Sequence, residues 1–301
     1  MNAPARLDAI EWVRVAAASG VVWFHIPGGS FKAVGHAGLI CFVLISVVFQ
    51  AMGACRDPLA AYLGKRLKRI APPWLFWFGF YGLFNFVKGK EFFPSSDGLL
   101  AGILTGTWVG LWYFPFILIL SPVVYALGKS TMKWKPISAA ALFLSIGAAL
   151  LLWFPHLLSR EPEPWLQWVH ALPAVPVGLG LHSLLRFEGK SRWIASGIFL
   201  LVVEAACLAA WRGNPDFAVS HGIAIPVVCL GFNLRLRLPA VVTDLGGLCL
   251  GVYVLHSAVV TVLKRVPVME SRPWILLVGT LIASFSIVAL LRRNRTVARV
   301  L

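Results

Sequence analysis

Long apolar runs alternate with short polar joints along nearly the whole chain. They fall at about 9–27, 33–54, 72–88, 110–128, 137–154, 166–185, 193–211, 217–234, 245–263 and 273–291. A hydrocarbon core ~30 Å thick takes about 20 helical residues to cross. The pattern therefore predicts an all-α fold, a polytopic transmembrane helical bundle of about ten spans. Pro173 and Pro176 interrupt the sixth run, and residues 99–108 read as a short re-entrant or interfacial piece. No internal repeat is visible, which disfavours the inverted-repeat transporters. The joints leave little room for a soluble domain, so residues 1–301 are expected to form a single membrane-embedded unit.

Composition removes the alternatives. Of 301 residues, 59% are hydrophobic and 13% charged, against about 25% charged in a soluble domain. An ordinary cytosolic protein, a disordered chain and a collagen-like fibre are excluded. The formal charge of +15 would suggest nucleic acid in a soluble protein, but the bases here sit in the joints. The N-terminus, the even-numbered loops and the C-terminus hold 18 Lys and Arg, and the opposite side holds 8. By the positive-inside rule both termini lie in the cytoplasm, the span count is even and no nucleic-acid partner is expected. The five cysteines form no CxxC pair and read as small buried hydrophobes, with no metal site. Glu11 and Arg14 interrupt the first run, which therefore reads as an uncleaved span and not a signal peptide.

The few charges inside apolar runs carry the candidate chemistry. Arg14 lies within the first helix, where an ionised group faces a polar interior or snorkels to the cytoplasmic end. Glu11, three residues earlier, is placed to offset it. His25 follows Arg14 by eleven residues. Eleven helical steps return to within ~20° of the same face and cover ~16 Å, so the two share one stripe. His256 stands deep in the ninth run, where a buried imidazole needs a partner. It either bonds a neighbouring helix or faces the same cavity as His25. Glu204 is a further buried carboxylate, and His36 opens the second helix. His156, His170, His182 and His221 read as loop or interface residues. The cluster Lys65-Arg66-Leu67-Lys68-Arg69 before Pro72-Pro73 fits either a topology determinant or a phosphate site.

Taken in order, these residues resemble the family-three integral membrane acyltransferases, which O-acetylate cell-surface carbohydrates. That family's first helix carries an acid, two residues, Arg, ten residues and His, similar to Glu11, Arg14 and His25. Its second-helix F-F-x-x-S-G is similar to Cys41-Phe42-Val43-Leu44-Ile45-Ser46, with Val47 where the family has Gly. Its basic R-x-x-R resembles Arg66-Leu67-Lys68-Arg69. Its L-W-[YF] resembles Leu111-Trp112-Tyr113, with Gly110 where a His often stands. Its late Y-L-x-H resembles Tyr253-Val254-Leu255-His256, and the tail Arg292-Arg293-Asn294-Arg295 also fits. The likeness runs from residue 6 to about 299.

The resemblance implies a membrane O-acyltransferase in, by analogy, the bacterial inner membrane. It would move an acyl group, most simply acetyl, from cytosolic acyl-CoA to a hydroxyl of an extracytoplasmic or lipid-linked carbohydrate. Arg66 and Arg69 would hold the donor's phosphates. His25 would act as general base or transient acyl carrier, and Arg14 would stabilise developing charge. Glu11, Ser46, Trp112, Tyr113, Tyr253 and His256 would support or bind substrate. No metal is implied. The competing reading is a transporter or flippase of a glycolipid or small metabolite, which would share the buried Arg and His and the basic inner face.

Overall fold

The computed structural model describes residues 8–93, 98–157, 162–236 and 239–301. Arg6, Arg160 and Arg237, which entered the charge split, lie outside these residues. The described residues form helices and no strand. In chain order the helices are α1 (Asp8–His25), α2 (Lys32–Ala54), α3 (Leu59–Val87), α4 (Leu99–Thr105), α5 (Tyr113–Thr131), α6 (Pro136–Trp153), α7 (Trp165–Ala171), α8 (Ala174–Leu184), α9 (Gly189–Ala210), α10 (Pro215–Asn233), α11 (Ala240–Leu263), α12 (Pro267–Glu270) and α13 (Pro273–Leu291). A 3₁₀ turn over Val109–Trp112 leads directly into α5.

Among the described residues, seven helices are long and apolar enough to cross a membrane: α2, α5 with its leading turn, α6, α9, α10, α11 and α13. The expected count of about ten exceeds this for three local reasons. The first run forms α1, but Asp8, Glu11 and Arg14 load it with charge. The third lies within α3, which carries the basic cluster, Pro72, Pro73 and an aromatic-rich stretch. The run at 166–185 is two helices, α7 of 7 residues and α8 of 11, broken where Pro173 cannot donate a helical hydrogen bond. Every residue of α8 is buried, as expected of a helix apolar on all sides and enclosed by others. Elsewhere the outward faces are apolar, with Leu201, Trp274 and Ile282 all more than 60% exposed. Such a surface suits lipid and not water. The residues at 99–108 form the short α4 and the turn after it.

The centre of the bundle is built on α1, which packs against α2, α10, α11 and α13. Small residues let α1 and α2 approach closely. A β-carbon on Gly38 would overlap the carbonyl oxygen of Ala17, and one on Gly35 would stand 2.8 Å from that of Gly20. On the α11 side, Gly246 leaves the space that the Glu11 carboxylate fills. The α1–α2 turn is clamped by Lys32, whose ammonium donates to the carbonyls of Trp23, Phe24 (2.8 Å) and Ile26. These are among the carbonyls that a helix C-terminus leaves unpaired. Trp23 stacks on Trp274 at 4.3 Å and donates to Ser30 O at 2.8 Å. The end of α1, and with it His25, is therefore held on several sides.

Candidate active site

Two cavities open from opposite parts of α1. The first, about 380 Å³, is lined by Arg14, Arg66 and Arg69, by Ser46, Gln50, Tyr113 and Tyr253, and by apolar side chains of α2, α3, α5 and α11. The second, about 550 Å³, is lined by His25, His36, His170, Trp112, Glu163, Gln167, Asn214, Asp216 and again Tyr253. Tyr253 is thus a shared wall. Arg14 and His25, predicted to share one stripe, face one cavity each.

In the first cavity three guanidinium groups converge. Arg14 pairs with Glu11 at 2.9 Å, which anchors it to its own helix and offsets part of its burial. Arg66 lies over the ring of Tyr62 at 5.3 Å, and Lys65 is drawn aside to Asp57 at 2.7 Å. Among the described residues no carboxylate lines this cavity. Deeper in, Ser46 Oγ and the Tyr113 hydroxyl are 2.6 Å apart, which joins α2 to α5. A second, smaller hollow of about 180 Å³ lies beside Gly53, Asp57, Tyr62 and Lys65, and shares Arg66 and Arg69 with the first.

In the second cavity the chemistry centres on two imidazoles from different helices. His256 Nε2 lies 3.2 Å from His25 Nδ1. The proton positions follow from the acceptors. His256 Nδ1 faces the carbonyl oxygens of Tyr253 (2.7 Å) and Val252 (3.2 Å), and carbonyls only accept, so Nδ1 carries the proton. Its Nε2 is then an acceptor. His25 Nδ1 faces that acceptor and the carbonyl of Val21 at 2.9 Å, so it too is the protonated nitrogen. With both rings neutral, His25 Nε2 is left with its lone pair, and it has no hydrogen-bond partner among the described residues. His256 is wholly buried and His25 half-buried. The inner imidazole orients the outer one, and the outer one lines the cavity.

Trp108 closes this pair from the side, with ring centroids 5.8 Å from His25 and 5.4 Å from His256. Tyr81, whose hydroxyl donates to Val254 O at 2.6 Å, backs it. The Tyr253 hydroxyl donates to Gly110 O, tying α11 to the turn before α5. A side chain on Gly110 would overlap the Trp108 indole.

Every site residue expected from sequence is accounted for. Arg14, Ser46, Arg66, Arg69, Tyr113 and Tyr253 meet in the first cavity; His25, Trp112 and Tyr253 meet in the second; Glu11 holds Arg14 and His256 holds His25. Of the two alternatives for His256, the structure shows the bond to a neighbouring helix, through His25 of α1, and His256 itself lines neither cavity. Three histidines read as loop or interface residues, His170, His182 and His221, are instead internal, with His182 buried in α8 and His221 in α10. His170 lies against His36 at 4.2 Å and His221 at 5.2 Å, and His170 Nε2 is 3.1 Å from Ser220 Oγ. Sequence reasoning missed Trp108, Gln50 and this histidine group. Nothing local marks Trp108, although its neighbour Gly110 leaves the space it uses. Glu204 is apart from both cavities, beside Gly222. Among the described residues no group of three or more His, Cys, Asp or Glu is placed to hold a metal ion, and the five cysteines are free.

The fold is thus one of apolar helices in which an arginine-lined cavity and a histidine-lined cavity share one wall. No curated protein and no solved structure matches the chain. The family model described as an acyltransferase domain matches residues 7–293. That is nearly the whole length, and it favours the acyltransferase reading over the transporter. The chain belongs to the family-three acyltransferases.

Proposed function

We propose that the protein is an O-acyltransferase that takes an acyl group, most simply acetyl, from acyl-CoA in the arginine cavity. It transfers that group to a hydroxyl of a carbohydrate or glycolipid in the histidine cavity. The observation that carries this reading is the Tyr253-His256-His25 arrangement at the meeting of the two cavities. It supplies a neutral imidazole with one nitrogen fixed and the other available.

The chemistry balances on these groups. His25 Nε2 accepts the proton of the acceptor hydroxyl as its oxygen attacks the thioester carbonyl carbon. The carbon–sulfur bond breaks, the ester forms, and the departing thiolate takes the proton back from His25. The imidazolium formed in between is held by the lone pair of His256 Nε2 and by Val21 O. Arg66 and Arg69 suit the donor's phosphates, since guanidinium groups pair with phosphate through several N–H donors at once. Arg14, further in and partly neutralised by Glu11, is suited to charge developing near the thioester. The charge split favours an inward-facing arginine cavity, a cytosolic donor and an extracytoplasmic acceptor.

The test is acyl transfer by the purified protein in liposomes, with labelled acetyl-CoA and a surface glycan as acceptor, read by mass spectrometry. The reading expects an acetyl-sized increase in the glycan. CoA-independent transport without transfer would overturn it. Cysteine labelling that places Lys65 on the extracytoplasmic face would overturn the orientation.

A further inference from the structure

Gln50 lies on α2, wholly buried, in the wall of the arginine cavity. One end of its carboxamide is engaged, because the Tyr62 hydroxyl donates to Oε1 at 3.0 Å. The other end, Nε2, is buried without a hydrogen-bond partner. A buried amide donor left unpaired costs ~1–3 kcal/mol, and folded chains rarely leave such a group without a use. Tyr62 is itself 1% exposed and packs against Tyr125 at 5.0 Å. The Gln50 amide is therefore held at its oxygen by Tyr62, while its Nε2 stays unpaired in a residue that lines the cavity.

Its position along α2 says what an occupant of the cavity presents. The Arg66 guanidinium lies 3.4 Å from where a β-carbon of Gly53 would be. Gln50 follows at the next turn inward. Ser46, bonded to Tyr113, is one turn further, about 6 Å from Gln50 along the axis. Beside and beyond these rungs, Phe49, Ile45 and Phe42 of the same helix also line the cavity. A ligand passing from the arginines toward Tyr253 thus meets anion-binding groups, then an amide donor, then a hydroxyl pair, all in an apolar sleeve. The arm of coenzyme A has that sequence of groups. It runs from phosphates through two amides separated by one β-amino acid unit, slightly longer than the ~3.3–3.6 Å of an extended α-residue.

We infer that Gln50 is a donor-positioning residue, its Nε2 donating to an amide carbonyl of the acyl carrier's arm, with Ser46–Tyr113 as the next rung. The inference rests on the acyl-CoA reading above and adds that the arm, as well as the phosphates, is recognised.

Two probes separate these contributions. Acetyl-CoA carries the arm, whereas adenosine 3′,5′-bisphosphate carries phosphate and adenine without it. Binding of each to the full-length protein in nanodiscs is measured for the wild type, Gln50→Met and Tyr62→Phe. Gln50→Met should weaken acetyl-CoA about tenfold and leave the bisphosphate unchanged. Tyr62→Phe keeps the donor but frees its direction, so it should weaken acetyl-CoA about threefold, again without effect on the bisphosphate, and it decides the matter if the methionine variant does not fold. Equal weakening of both probes, or of neither, would overturn the inference while leaving acyl-CoA as donor. A wild-type protein that binds neither probe would overturn the acyl-CoA reading itself.

Discussion

The two cavities differ most in charge. Among the described residues, the one beside α3 is lined by three arginines and no carboxylate, and the other by Glu163 and Asp216, by three histidines, and by no lysine or arginine. A cavity lined by one sign of charge with low-dielectric walls focuses its field and selects its ligand. The arginine side therefore draws an anion, and the histidine side disfavours one. Tyr253 stands between them and faces both. On the proposed reading, selection and chemistry are spatially divided: the charged side chains line the cavities, while the imidazole pair sits beside the aromatic ring of Trp108.

The largest expected effect removes the chemistry and leaves the charge contrast in place. His25→Ala should reduce transfer by ~10²–10⁴-fold, the usual contribution of a positioned acid–base group. Acetyl-CoA affinity should hardly change, because His25 does not line the arginine cavity. Binding and transfer measured on the same preparation give this split. Near-wild-type transfer would move the catalytic assignment away from His25.

Next in size is the arginine side. Replacing Arg66 and Arg69 together by Ala should weaken acyl-CoA binding by ~10–100-fold, since charge-assisted hydrogen bonds to phosphate are among the stronger polar contacts. The wild-type affinity should fall with added salt, and the double variant should show a shallower dependence. Unchanged affinity would return this cluster to a topology role.

His256→Ala should cost less than His25→Ala, about tenfold in kcat with KM little changed, because it acts only through His25. His256→Gln, which can still offer an acceptor to His25 Nδ1, should recover part of the loss. A merely structural role predicts no such recovery.

Much of this contrast was legible in the sequence. The Arg14–His25 stripe needed only helical periodicity, and the basic cluster needed only its place in a polar joint. What periodicity does not reach is contact between distant helices. His170, within the proline-interrupted sixth run, read as a loop or interface residue; α7 turns it onto His36, 134 residues away in sequence. The count of about ten spans differs from the seven candidates among the described residues at three runs: the charges in α1, the basic cluster and prolines of α3, and the break at Pro173 keep those runs from forming single uncharged apolar helices. The two departures from the family pattern also find local accounts. Val47, where the resemblance has a glycine, packs on Gly178 of α8, whose β-carbon would lie 2.9 Å from Val47 Cγ1, so the space Val47 takes is left by a glycine on the facing helix. At Gly110 the missing side chain makes room for Trp108, which takes its place beside the histidine pair.

The smallest expected effect concerns the acceptor side and bears most directly on the charge contrast. Glu163 and Asp216 are exposed at the rim of the histidine cavity, and among the described residues Glu163 is engaged by Gln167 Nε2 at 3.1 Å, a neutral contact. At a solvent-exposed rim such charges are screened over ~8–10 Å of salt solution, so each acts on approach and orientation more than on final affinity. Neutralising both, Glu163→Gln with Asp216→Asn, should therefore leave transfer to a neutral sugar within about twofold. For an acceptor carrying a carboxylate it should raise kcat/KM several-fold at low salt, and the gain should shrink as salt is added. Measuring both acceptors at two salt concentrations isolates the electrostatic part. If the double variant treats neutral and anionic acceptors alike at every salt concentration, and the wild type does too, the rim carboxylates select nothing and discrimination lies wholly in the aromatic wall around His25.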